Sequence, residues 1–244
     1  MLLLLASLSQ AAIVNVLQPQ VGPPDPGRTV SMKVGGTLLE GNEQRLSVNG
    51  ALGAQFVGQE HRVLLRVSGE RAVAFDTVIA DKAFVHARET WAFSDPWATV
   101  LFVQSDRNAF RDLQLRALGG GGLERRLFRT DWSEGTLGVG AMGEYQLLDA
   151  DAVDSDAGWH PRGNSYLILA ISHEDGVELA STTFYQPRLD AWSNWRLAEE
   201  LSLTLEVSEH LDWSVVGKLQ VDSQPVQGNE SYDLSVVSGL VLSF

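Results

Sequence analysis

The sequence predicts an all-β chain, a closed antiparallel up-and-down transmembrane β-barrel of about twelve strands. Three observations predict it. Apolar and polar residues alternate with period two from Thr29 onward, which sends successive side chains to opposite faces of a strand. Turn-forming clusters break the alternation at a spacing of roughly ten residues plus a connection, which suits strands that cross a bilayer at a tilt. The chain also closes on "SYDLSVVSGLVLSF" (231–244), whose even positions are almost wholly apolar and whose odd positions are mostly small or polar. As a free edge such a strand invites aggregation. Paired with the first strand of a barrel, it turns its apolar face to lipid and leaves no edge.

Each element follows from the pattern. Val30, Met32, Val34, Gly36 and Leu38 alternate with Ser31, Lys33, Gly35 and Thr37, and "EGNEQ" (40–44) supplies turn residues that tolerate positive φ. Leu46, Val48, Gly50, Leu52, Ala54 and Phe56 form the next apolar face, and Val63, Leu65 and Val67 a third after "GQEH" (58–61). Further breaks fall near 75–81, 94–97, 105–110, 128–132, 149–164, 173–176, 189–194, 208–212 and 222–231. Between 82 and 104 the pattern does not say which face is which. Two late strands are clean: Leu201, Leu203, Leu205 and Val207 oppose Glu200, Ser202, Thr204 and Glu206, and Trp213, Val215, Leu219 and Val221 oppose Ser214, Lys218, Gln220 and Asp222. An even strand number puts both chain ends on one side. Pro96, Pro161, Pro187 and Pro225 fall in or beside expected connections, where a missing N–H does little harm. Trp97, Trp132, Trp159, Trp192, Trp195 and Trp213 fall near strand ends, with Trp91 a little further in, as in the aromatic girdles of membrane barrels.

The start of the chain is expected to serve export. "MLLLLASLSQAA" carries an apolar run and then small residues, so residues 1–11 read as a signal peptide cleaved after Ala11; the basic residue that usually precedes the run is missing, which suggests a truncated or misassigned start. Residues 12–28 hold four of the eight prolines and read as an extended periplasmic linker, leaving 29–244 for the barrel. With 18 basic against 31 acidic residues the net charge is −13, and no basic cluster offsets it, which argues against a nucleic-acid partner. The chain has no cysteine, so disulfides, thiolate metal sites and cysteine nucleophiles are excluded.

The closing stretch "VDSQPVQGNESYDLSVVSGLVLSF" (221–244) resembles the last hairpin of the salt-induced outer-membrane protein family, also called domain-of-unknown-function family 481. Asp222, Ser223, Pro225, Asp233, Gly239, Leu240 and Phe244 stand where that family has its aspartate-serine-x-proline turn, aspartate, glycine-leucine and terminal phenylalanine. "SDRNAFRDLQLRALGGGGLERRL" (105–127) is similar to the family's central segment, and "EGNEQ" falls at its first Gly-Asn turn. The resemblance implies an outer-membrane barrel of unknown biochemical role. It also implies that Tyr232, Leu234, Val236, Leu240, Leu242 and Phe244 form the terminal signal read by the barrel-insertion machinery.

Candidate chemistry is sparse. His61, His86, His160, His173 and His210 show no zinc-like spacing and mostly fall in expected turns, as solvated residues. "ALGGGGLE" (117–124) lacks the Lys-Ser/Thr of a phosphate loop, and its glycines are expected to relieve crowding in a strand. Asp149, Asp151, Asp154 and Asp156 are weak candidates for calcium, because their order departs from the EF-hand loop; a solvated acidic loop is the plainer reading. Ser172 and His173 are adjacent, so a strand would point them to opposite faces and keep them from acting as nucleophile and base. The expected inward charges are Lys33, Arg62, Arg66, Arg116, Glu144, Glu200, Glu206 and Lys218, which need pairing or water.

These readings lead to a monomeric outer-membrane barrel without cofactor or catalytic activity, both termini periplasmic. Its expected partners are lipid, lipopolysaccharide and the insertion machinery, and its expected role is structural or a narrow passive pore for small solutes. Two alternatives belong to other classes: a soluble exported barrel holding an apolar ligand, and an outer-membrane lipase.

Overall fold

A computed structural model describes residues 13–17, 19–41, 44–109, 113–148, 157–173, 176–208, 210–225 and 230–242. Twelve antiparallel strands form one sheet in chain order. They are β1 (Gly27–Leu39), β2 (Arg45–Val57), β3 (His61–Ala74), β4 (Thr77–Ser94), β5 (Trp97–Asn108), β6 (Leu113–Arg129), β7 (Ser133–Leu148), β8 (Gly158–His173), β9 (Val177–Pro187), β10 (Trp195–Ser208), β11 (Leu211–Asp222) and β12 (Tyr232–Leu242). Each neighbouring pair is a hairpin, so the meander has two rims. At the near rim, where β1 begins and β12 ends, the connections are 58–60, 95–96, 130–132, 174–176 and 209–210. At the far rim lie 40–44, 75–76, 109–112, 149–157, 188–194 and 223–231.

Expected breaks and observed connections agree to within a few residues at most positions. Two differ. The break expected over 75–81 is a two-residue turn in which Phe75 and Asp76 both have positive φ, 47° and 59°. That is the hairpin geometry whose twist matches the flanking strands, so β4 starts at Thr77. The break expected over 149–164 ends by Gly158, and Pro161 therefore lies inside β8, opposite Gly143.

Register assigns the faces. Val30 lies opposite Ala54, Ala54 opposite Leu65 and Leu65 opposite Ala87, so these share one surface. That outer surface carries exposed Val34, Val48, Val67, Leu101, Val139, Leu201 and Val236, among others. The other surface is concave: residues from strands at both ends of the sheet line a single cavity of about 1230 Å³. The face left open between 82 and 104 is settled by burial, since Phe84, His86, Arg88, Thr90, Val100 and Phe102 all point inward.

The glycine run sits in β6 as expected of a crowding-relief strand. A Cβ on Gly122 would stand 2.4 Å from the Val139 carbonyl oxygen, and one on Gly138 would stand 2.0 Å from the Tyr166 ring. Here β6 and β7 approach too closely for side chains, and the ring of Tyr166 fills the space above Gly138.

Between β1 and β12 the expected pairing is not found: the sheet ends on these two strands, and among the described residues no ladder joins them. Both have exposed residues on either face. Val34 is 75% and Val236 66% exposed on the outer side, while Ser31, Lys33, Asp233 and Ser235 are exposed on the inner side.

Candidate functional site

The concave face is where the chain concentrates its charge. Strict alternation brings one parity of each strand inward, and curvature brings inward residues of distant strands together. Near the far rim Glu144 of β7 is fully buried. It accepts hydrogen bonds from Arg162 Nε of β8 at 3.0 Å, from Arg196 Nη1 of β10 at 2.9 and 3.0 Å, and from the Gln146 amide. Arg162 also donates to Asn194 Oδ1 at 2.9 Å and to the Gln186 carbonyl at 3.2 Å, and Arg196 Nε donates to Asp222 Oδ2 of β11 at 3.0 Å. Two guanidiniums thus face two carboxylates, a balance that removes net charge from a largely buried site.

A second cluster lies nearer mid-height. Arg88 Nη2 of β4 donates to Glu124 Oε1 of β6 and to the Tyr166 hydroxyl of β8, each at 2.7 Å, and that hydroxyl donates to Glu124 at 2.8 Å. The Arg88 guanidinium also lies 5.1 Å from the centre of the Tyr166 ring, a contact that adds attraction once water is excluded. Next to it His86 stacks between Phe84 and Phe102, with ring centres 6.2 Å away on both sides, and meets Gln104 at 3.1 Å. Arg116 donates to Asp106 at 3.0 Å. On the opposite arc Lys218 and Glu200 pair at 2.9 Å, and Lys82 lies 3.8 Å from Glu70.

Of the residues expected to face inward, Arg116, Glu144, Glu200 and Lys218 belong to these pairs. Arg62 and Arg66 share the inner face of β3 with Leu64, and Arg66 lines the cavity. Lys33 also lines it but stays exposed on edge strand β1. Glu206 is exposed at the near rim, where its N–H donates to the Gly176 carbonyl at 2.8 Å. Tyr232, Leu234, Val236, Leu240 and Leu242 share the exposed outer face of β12. Phe244 and the four aspartates Asp149, Asp151, Asp154 and Asp156 lie outside the described residues. Ser172 lines the cavity while His173 is exposed at the end of β8. Among the described residues no group of three or more His, Asp or Glu is placed to hold a metal ion.

Sequence reasoning passed over Arg88, Glu124, Tyr166, Arg162, Arg196 and Asp222 as a set. The signal was parity, since all occupy even positions in strands whose even positions point inward. It was hidden because the face of 82–104 was open and Arg162 fell in an expected loop. The expectation of solvated histidines fails at His86 and His160, both buried.

Polar residues are not the whole interior. Residues 13–17, expected to be part of an extended linker, lie within the concavity. Ile13, Val16 and Leu17 are buried against Phe84, Tyr166, Phe184 and Ala198, with Leu64 and Ile168 alongside. The outer surface carries two aromatic rings. Trp91, Trp97, Trp132 and Trp213 stand at the near rim, and Trp159, Trp192 and Trp195 at the far rim, with Tyr145 and Tyr185 packed on Trp159 and Trp195.

Set beside known proteins, the chain matches a family model described as a protein of unknown function, DUF481, over residues 32–244. No curated protein matches it.

Proposed function

The chain belongs to the DUF481 family of proteins of unknown function, and from that premise we propose that it is an integral outer-membrane β-barrel. The observation that carries the reading is the outer face: exposed apolar side chains on strand after strand, bounded at each rim by tryptophans, around an interior of paired charges. Water solvates such a face poorly and hydrocarbon solvates it well. In hydrocarbon the free N–H and C=O groups of β1 and β12 would cost several kcal/mol each, so in the proposed state these strands pair and close the barrel. The start of β1 and the end of β12 then lie at the near rim, on the periplasmic side, and the face of β12 from Tyr232 to Leu242 serves in recognition by the insertion machinery.

The proposed role is non-catalytic, either envelope-structural or a narrow passive route for small solutes, in a monomer surrounded by lipid and lipopolysaccharide. The mutual pairing of Glu144, Arg162, Arg196 and Asp222, and of Arg88, Glu124 and Tyr166, supports an interior in which the charges fix the wall. Heat-modifiable gel mobility in an outer-membrane fraction is the expected result. Recovery in soluble periplasm would overturn the proposal. Facing is tested separately by Leu203→Cys and Thr204→Cys: a lipid-phase thiol reagent should reach position 203 and an aqueous one position 204. The reverse pattern would favour a soluble barrel with an apolar interior.

A further inference from the structure

We propose that residues 13–17 and 19–24 are a resident plug, seated on an apolar patch of an inner wall whose other arcs carry paired charges. A water-filled lumen has no use for inward Phe84, Tyr166, Phe184 and Ala198 on β4, β8, β9 and β10, because apolar side chains gain nothing from facing water. In this chain they are covered, and what covers them is Ile13, Val16 and Leu17. The patch and the segment account for each other.

Two polar contacts fix the segment along the lumen. The Gln220 side-chain amide of β11 donates to the Ile13 carbonyl at 2.6 Å, and the Gly22 N–H donates to the Glu134 carboxylate of β7 at 3.0 Å. Glu134 lies at the near rim and Gln220 toward the far rim, so the chain runs down the concavity from Ile13, beyond mid-height, to Gly22 at the near rim. It then turns at Gly22 (φ 86°) and Gly27 (φ 155°) to join β1. Its composition keeps it from joining the sheet instead. Pro19, Pro23, Pro24 and Pro26 lack the N–H that a ladder on the free edge of β1 would need. The family match starts at Met32, so the plug lies outside the part of the chain that the match covers. The 1230 Å³ cavity lies beside it, with Ile13, Leu17 and Pro19 forming part of its wall. Withdrawal of the segment through the near rim would merge its volume with that cavity. The plug is therefore the element that sets the aperture.

The test exploits the absence of cysteine, since a single introduced thiol is the only one present. In full-length protein folded in detergent, Val16→Cys should react with a bulky water-soluble maleimide ~100-fold more slowly than Asp25→Cys, the protection expected of a locally ordered segment. In denaturant the two should react equally. In planar bilayers, deletion of 13–24 should raise single-channel conductance above that of the full chain, and the double variant Val16→Asp, Leu17→Asp should do the same with the segment retained. Equal labelling of positions 16 and 25 in the folded protein, or unchanged conductance in both variants, would overturn the plug. The conductance arm rests on the barrel reading, whereas the labelling arm does not. A chain that never shows heat-modifiable mobility but still protects position 16 would sink the membrane reading and keep the plug.

Discussion

The arc β4–β10 and the arc formed by β11, β12 and β1–β3 use the same alternation and reach different ends. In the first, inward side chains meet partners across the concavity: Glu144 and Arg162 are fully buried, and Val100 and Met142 are packed beneath Leu118. In the second, inward side chains face the cavity, and the outermost strands are exposed on both faces. Period two decides only which side a residue takes. Whether that side becomes a core depends on what stands opposite, and opposite the first arc stand both its own far strands and the plug.

Mutations should read this contrast directly. The largest effect is expected at Glu144→Leu, which leaves the buried Arg162 without a carboxylate and Arg196 with Asp222 alone. Stability in denaturant titrations of the detergent-folded protein should fall by about 3–5 kcal/mol. The corresponding change at the border of the two arcs, Glu200→Leu on β10, leaves Lys218 of the open arc beside the cavity with access to water and should cost about 1 kcal/mol or less. Equal losses at the two sites would mean that the arcs do not differ in packing.

Glycines set the packed inner face of the first arc against the outer face of the second, at smaller magnitude. Gly138→Ala places a Cβ 2.0 Å from the Tyr166 ring, and overpacking of this kind costs about 1–3 kcal/mol. On β11 the nearest atom to a Cβ on Gly217 is the Leu201 carbonyl oxygen at 4.0 Å, so Gly217→Ala should be neutral or slightly stabilising. Thermal gel-shift midpoints of the two variants should separate in that order.

Closure is the third point of comparison, because it would give the open arc the partner it lacks. Cysteine at Val34 combined with cysteine at Leu234, Val236 or Leu240 should give a disulfide in one combination once the protein is in lipid. No cross-link in any combination would leave the sheet open.

The smallest effect is expected on the outer surface of the packed arc, where Glu199 departs from the apolar pattern. The Ser181 hydroxyl donates to its carboxylate at 2.7 Å, and Thr183 donates to it as well. A carboxylate facing lipid is costly, less so than a cation. Glu199→Gln should therefore be neutral to stabilising by about 1 kcal/mol in lipid vesicles and without effect in denaturant. Destabilisation in lipid would mean that this face meets water or protein.

How much of this was legible before any coordinates can be told from single residues. Val30 to Leu38 and Leu201 to Val207 were readable because a strand with one apolar side announces its own faces. Strand β4 was not, because its inward Ala80, Phe84, His86 and Arg88 mix apolar with charged while its outward face carries Glu89 and Trp91. Glu144 was readable as inward, but Arg196 as its partner was not: they are 52 residues apart, and nothing local in either strand refers to the other.

The sequence alone determined the all-β class, the order of the hairpins, most turn positions and the apolar face of the clean strands. Each of these depends on neighbours within a few residues, through pleat alternation and turn chemistry. Only the tertiary structure decided which inward charges neutralise one another, that residues 13–17 lie inside the concavity, and that β1 and β12 stand unpaired. Those outcomes depend on curvature, which brings together strands far apart in the chain, and curvature leaves no periodic trace in a linear sequence.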